Sequence, residues 1–164
     1  MKFAVLSDTH DNIENVGKAI DIIGKQQAEA IIHCGDIIAP FMLKQFQQVQ
    51  IPLHCVFGNN DGDKYLLTKT AAASNGLITL YGLLGEIDFQ GFFVGFTHEP
   101  QMAEGLAATG KYDLVCFGHT HMPRQEQMGK TILLNPGDVM GKEGNPGFCM
   151  VDTHRHSITR LTIS

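Results

Sequence analysis

The chain has 164 residues, 43 % of them hydrophobic and 18 % charged, with a formal net charge of −5. That length and balance fit a single globular domain spanning residues 1–164 with a substantial core. The acidic sum argues against non-specific nucleic-acid binding, which needs basic surface to displace counterions, although carboxylates gathered around dications would be hidden inside the same sum.

In chain order, Phe3 to Ser7 reads as a buried strand, and Ile13, Val16, Ile20 and Ile23 then recur at helical spacing, with Asp11 or Asn12 as the cap. A second buried strand, Ala30 to His33, runs into Cys34-Gly35-Asp36. Phe41, Leu43, Phe46 and Val49 suggest a short helix, and a third strand, Leu53 to Phe57, ends at Gly58-Asn59-Asn60-Asp61. Leu77–Tyr81, Glu86–Phe89 and Phe92–Phe96 read as short strands, with Gln90-Gly91 as a hairpin turn. Met102 to Ala108 fits a small helix before the strand Leu114–Phe117. Thr131–Leu134, Phe148–Val151 and Ile158–Ile163 complete a β-rich C-terminal part, separated by Asn/Pro/Gly turns, with Lys142-Glu143 read as a solvated loop. Helical connections early and hairpins late imply an α/β (α+β) fold of mixed sheets with helices outside.

Cys34, Cys55, Cys116 and Cys149 are far apart, and no Cys-x-x-Cys pair occurs, which argues against a zinc knuckle and for buried thiols. The apolar run after Met1-Lys2 is too short for a signal-peptide core, and no stretch is long enough to span a membrane. A cytoplasmic protein is expected.

The informative feature is where the polar residues stand. Asp8 and His10 follow the first strand, Asp36 the second and Asn59 the third; His98 follows Phe92–Phe96, and His119 and His121 follow Leu114–Phe117. Loops at strand ends are where functional groups converge in α/β sheets. Three oxygen donors and four imidazoles make a mixed set that suits Mn, Fe, Zn or Ni better than Mg or Ca. Seven donors exceed what one tetrahedral ion needs but suit two ions sharing a carboxylate. Two such ions, roughly 3.5–4 Å apart, can clamp a phosphoryl group and activate a water.

The ordered series Asp8-x-His10, Gly35-Asp36, Gly58-Asn59-x-Asp61, His98 and Gly118-His119-Thr120-His121 resembles the calcineurin-like metallophosphoesterase superfamily. The short length and the Gly-His-Thr-His and Asn-Pro-Gly segments are similar to its small bacterial and archaeal phosphodiesterase branch. The resemblance implies a four-layer fold, two β-sheets packed as a sandwich with helices on both outer faces. It implies one metal held by Asp8, His10 and His121, another by Asn59, His98 and His119, Asp36 bridging, and a hydroxide between the ions attacking phosphorus in line. The implied cofactor is a pair of divalent ions, Mn²⁺ first, with Ni²⁺, Fe²⁺ and Zn²⁺ open. The implied partner is a small phosphorylated substrate, and the expected activity is that of a phosphoesterase, with a diester favoured over a monoester.

Several positions depart from the family pattern. Many relatives have His where this chain has Asn60, and an amide can donate a hydrogen bond but cannot act as a general acid. Asn60 is expected to orient substrate or site, and Asp61 to orient Asn60 or a neighbouring backbone group. Asp11 replaces a common Gly, Glu99 follows His98 where Gly is usual and could compete as a ligand, and Asp138 stands where Ser often follows Asn-Pro-Gly; together they make the rim more acidic. Arg124 is the one cation near His119 and His121 in sequence, and so a candidate phosphate contact. His33 and His54 read as satisfied structural histidines, His154 and His156 as exposed. A rival reading is a protein-interaction scaffold, since the retromer sorting subunit resembles the same fold; a scaffold has no need of all seven donors. The apolar segments Leu77–Leu84 and Phe89–Phe96 could support self-association into a homo-oligomer.

Overall fold

The computed structural model describes residues 1–142 and 144–164; Glu143, half of the expected solvated loop, lies outside the described residues. Among the described residues, eleven strands and four helices follow in the order β1 (Lys2–Leu6), α1 (Ile13–Lys25), β2 (Ala30–His33), α2 (Pro40–Gln47), β3 (Leu53–Cys55), α3 (Lys64–Ala72), β4 (Ile78–Leu80), β5 (Leu84–Phe89), β6 (Phe92–Thr97), α4 (Pro100–Ala108), β7 (Leu114–Cys116), β8 (Arg124–Met128), β9 (Thr131–Asn135), β10 (Gly147–Asp152) and β11 (Ser157–Thr162).

The strands form two mixed sheets. The first runs β11-β10-β1-β2-β3-β4, with β1 to β4 parallel and β10 and β11 antiparallel at one edge. The second runs β5-β6-β7-β9-β8, with β6, β7 and β9 parallel and antiparallel strands at both edges. Alternation along each strand assigns its side chains to opposite layers. From β1, Phe3 and Val5 pack between the sheets with Phe89, Phe96, Leu114 and Cys116. Ala4 and Leu6 point the other way, into a core shared with Val16, Ile20 and Ile23 of α1, Leu43 and Phe46 of α2, and Leu67 of α3. On the far side α4 covers the second sheet, with Ala103 and Ala107 against Val115, Phe117 and Leu133. The result is the expected four-layer sandwich. Each fully buried Phe, Leu or Ile contributes about 1.5–3 kcal/mol of transfer free energy.

Local signals place most elements. Asn12 caps α1, its side-chain oxygen accepting from the Asn15 amide at 3.1 Å. Gln90 and Gly91 both have positive φ, 58° and 94°, and close the β5–β6 hairpin as anticipated. Pro40 begins α2, in which Met42 is buried and Phe41 is exposed. The cysteines are buried free thiols, burial pushing the Cys149 pKa to about 12. No described helix is long and apolar enough to cross a membrane.

Candidate metal centre

Six parallel strands, three from each sheet, end at one edge of the sandwich. Asp8 and His10 leave β1, Asp36 leaves β2, and Asn59 and Asn60 leave β3; from the second sheet His98 leaves β6, His119 and His121 leave β7, and Asp138 leaves β9. All seven expected donors therefore meet. Asp8, Asp36 and His98 form the buried floor, His10 and His121 are half-buried, and Asn59 and His119 stand at the surface.

The backbone makes sharp left-handed excursions to deliver them. Asp8, His10, Asp36, His119 and His121 have φ between 41° and 68°, a region non-glycine residues seldom occupy and one that clusters at functional sites. The motif glycines have a different cause. A Cβ on Gly58 would overlap the Asp36 carboxylate, and one on Gly118 would overlap Ser7 Oγ and crowd Asp8 Oδ2. At these two positions the chain passes directly against a carboxylate, so only hydrogen fits.

Two donor groups share Asp36. Its Oδ2 lies 3.3 Å from His10 Nε2 and 3.5 Å from His98 Nε2. On one side, Asp8 Oδ1 is 3.8 Å from His10 Nε2 and 3.6 Å from His121 Nε2. On the other, Asn59 Oδ1 is 2.9 Å from both His98 Nε2 and His119 Nδ1, which are 3.3 Å apart. Glu99 also brings a carboxylate oxygen near His98 and His119. His98 Nδ1 donates to the Cys34 carbonyl at 2.8 Å, so in the neutral ring Nε2 carries a lone pair and faces the oxygen of Asn59. Two acceptors at that distance repel unless a proton or a cation lies between them.

The donor set fits divalent ions on a second ground. Among the described residues, the buried side-chain polar atoms without a hydrogen bond are Ser7 Oγ, Asp8 Oδ1 and His10 Nε2, all on one loop. Orphaned buried polar atoms are rare in folded proteins and call for an explanation such as an ion. In the metal-free chain a proton partly takes that place: the pull of the Asp36 carboxylate first, and of Asp8 second, raises the His10 pKa to about 9. Burial would push the Asp36 carboxyl up, but contacts with His10, then Asn60 and His98, outweigh it and hold Asp36 well below the usual carboxylate range.

The supporting residues resolve as follows. Asn60 clamps Asp36, its backbone N–H donating to Oδ1 at 2.8 Å and its amide Nδ2 to Oδ2 at 2.7 Å. Asp61, 4 % exposed, accepts from the backbone N–H groups of Gly58 (2.6 Å), Asp36 (3.2 Å) and Ile38 (2.7 Å), tying the β2 and β3 loops together. Asp11 accepts from Ala39 N–H at 3.0 Å at the entry to α2. The Arg124 guanidinium is engaged by Glu104 at 2.8 Å and Glu126 at 2.6 Å. His33 is a satisfied core histidine: Nδ1 accepts from Gly35 N–H, Nε2 meets Thr9 Oγ1 at 3.2 Å, and burial lowers its pKa to about 4. His54 contacts Tyr81 Oη at 3.0 Å. The motif reading placed Asp138 on the rim; the structure instead buries it, with Oδ2 2.7 Å from His121 Nδ1. Its signal was available, since it too follows a parallel strand end.

Comparison with known proteins agrees with this geometry. The model of the calcineurin-like phosphoesterase superfamily domain matches residues 1–156. Phosphodiesterase MJ0936 of Methanocaldococcus jannaschii is 32 % identical over 165 residues, covering 99 % of both chains. Phosphodiesterase YfcE of Escherichia coli is 27 % identical over 98 % of this chain and 92 % of its own. A solved archaeal phosphodiesterase superposes with a TM-score of 0.92 at 29 % identity, covering 99 % of each chain. Vps29 of Chaetomium thermophilum, at 14 % identity, a TM-score of 0.73 and coverage of 100 % and 97 %, shows a shared fold alone. With the family model running over nearly its whole length and the motif residues converging at one strand edge, the chain belongs to the calcineurin-like phosphoesterase superfamily.

Proposed function

We propose that this chain is a phosphodiesterase that works with two divalent ions, Asp8, His10 and His121 holding one, Asn59, His98 and His119 the other, and Asp36 bridging. The observation that carries this is Asp36 Oδ2, which stands 3.3 Å from a nitrogen of the first group and 3.5 Å from a nitrogen of the second. The mixed N/O donors suit Mn²⁺, Ni²⁺, Fe²⁺ or Zn²⁺, and the family resemblance puts Mn²⁺ first. When bound, such a pair supplies ionisation of a water near neutral pH and charge to offset the phosphoryl oxygens during in-line displacement.

The chain's own residues arrange that chemistry. Asp36 stays ionised well into acid, because His10 and Asn60 both stabilise its charged form. Asn60 fixes both carboxylate oxygens of Asp36, and Asp61 fixes the two loops that carry the pair. With Asn60 as an amide, that position offers the leaving group no general acid, so substrates whose alcohol leaves readily as an anion are favoured. Arg124 would have to give up two ion pairs to reach a phosphate. The half-buried carboxylates of Asp11 and Glu99 disfavour a doubly charged monoester relative to a singly charged diester. A scaffold would share the fold, as Vps29 does, but would not require two acceptor clusters around one carboxylate.

The test is metal analysis of purified protein together with turnover of bis-p-nitrophenyl phosphate and p-nitrophenyl phosphate in added Mn²⁺. Close to two ions per chain, faster diester turnover, and a loss of roughly 100-fold or more in Asp36→Asn are expected. Equal activity in wild type and Asp36→Asn, with no response to metal, would sink the enzyme reading.

A further inference from the structure

Asp138 is not one of the seven donors, yet its carboxylate is built into the site. It is 2 % exposed, and Oδ2 lies 2.7 Å from His121 Nδ1. The same oxygen accepts the Lys142 backbone N–H at 2.8 Å, and the Asp138 carbonyl accepts from Gly147 N–H at 2.9 Å. The next two residues are pinned to the end of β1: Val139 N–H donates to the Ser7 carbonyl at 3.1 Å, and Met140 N–H to that of Asp8 at 3.0 Å. The carboxylate therefore cannot swing away from the imidazole.

Its chemistry fixes the tautomer of His121. A carboxylate only accepts, so Nδ1 of His121 carries the proton and the lone pair of the neutral ring sits on Nε2. That nitrogen faces Asp8 Oδ1, 3.6 Å away, one of the orphaned buried atoms. The counterpart on the other side is different: His98 Nδ1 donates to a neutral carbonyl, that of Cys34. Hydrogen bonding to a carboxylate makes an imidazole a more basic ligand and orients its ring.

We propose that Asp138 is a positioning residue that presents His121 Nε2 to a divalent cation held with Asp8 and His10, and so makes that position the tighter of the two. This rests on the two-ion reading above. The charges point the same way. The Asp8 side has a fully buried carboxylate of its own, with Asp138 behind it, whereas the Asn59 side has an amide, two imidazoles and only the half-buried, water-screened carboxylate of Glu99; both sides share Asp36. Loading should therefore proceed in two steps, the Asp8 side first.

A purely structural role, holding the 138–142 turn through Lys142 N–H, is separable. In Asp138→Asn one oxygen can still accept from both N–H groups in the same shape, and only the charge is lost. Binding of Mn²⁺ to metal-stripped wild type, Asp138→Asn and Asp138→Glu would be followed by calorimetry and by the electron paramagnetic resonance signal of free Mn²⁺, beside urea unfolding of each metal-free protein. Two sites are expected in wild type. In Asp138→Asn the tighter should weaken roughly 10–100-fold, with the weaker site within about 3-fold and metal-free stability near wild type; Asp138→Glu should recover part of the loss. An Asp138→Asn titration that superimposes on a two-site wild type overturns the role of Asp138 and leaves the two-ion reading standing. Equal weakening at both sites, with loss of metal-free stability, overturns it in favour of the turn. Wild type that takes up no Mn²⁺ overturns the two-ion reading and this role with it.

Discussion

At the scale of single residues, the site combines strained backbone with side chains that immobilise one another. The left-handed φ of Asp8, His10, Asp36, His119 and His121 costs about 1 kcal/mol or more at each position and is held by the loops around it. Asp61 supports this by accepting three backbone N–H groups, and Asn60 by gripping Asp36. Asn60 is the sharper case, because an amide replaces the imidazole common in the family. Asn60→Ala removes the 2.7 Å bond to Asp36 Oδ2. A hydrogen bond to a charged group contributes about 1.5–3 kcal/mol, so turnover at fixed metal should fall roughly 10–100-fold. More Mn²⁺ should be needed for half-maximal rate, read from a metal titration of diester hydrolysis. An unchanged titration would assign Asn60 to substrate instead of to Asp36.

At the scale of elements, the decisive features are parallel strands and the glycines at their exits. β1, β2 and β3 in one sheet and β6, β7 and β9 in the other all run toward the same edge, so loops far apart in sequence arrive together. Gly118 shows how tight that convergence is: an added Cβ would meet Ser7 Oγ and Asp8 Oδ2. Gly118→Ala forces the β7 exit away from β1, and overpacking of this kind costs about 1–3 kcal/mol. Urea unfolding of the metal-free variant should show that loss, and Mn²⁺ uptake should fall with it, since Asp8 is displaced. Metal binding and stability both at wild-type level would refute the close approach. The elements that sequence periodicity missed are equally physical. The helix α3 buries only Leu67 and Ala71, so it has almost no apolar stripe, and the edge strand β8, Arg-Gln-Glu-Gln-Met, is polar on both faces.

At the scale of the molecule, three packed hydrophobic clusters lie beneath the site, and His33 couples their stability to pH. This ring is fully buried between Thr9 and Gly35 with Phe46 edge-on, and burial lowers its pKa to about 4 from an ordinary 6.5. Below pH 6.5 the unfolded chain takes up a proton at His33 that the folded chain refuses until about 4. Its contribution is therefore complete above 6.5 and is lost as pH falls toward 4, by on the order of 3 kcal/mol. His33→Gln keeps a donor and an acceptor but does not titrate. In urea unfolding of metal-free protein between pH 7 and 4, the wild-type curve should fall more steeply than that of His33→Gln. Parallel curves would show that His33 is not part of the acid response.

The sequence by itself marked the alternation of elements and seven candidate donors, because each follows an apolar strand, with a glycine directly before Asp36, Asn59 and His119, and such signals are local; the four-layer class came with the family resemblance that those motifs carry. Only the tertiary structure decided how those donors group around Asp36, that Asn60 faces a carboxylate, that Arg124 is bound between two glutamates, and that Asp138 stands behind His121. The Arg124–Glu126 pair and the Asp8–His10 neighbours aside, these are contacts across 17 to 111 residues of chain. No local pattern encodes them, because they follow from two twisted sheets bringing six strand ends to one edge.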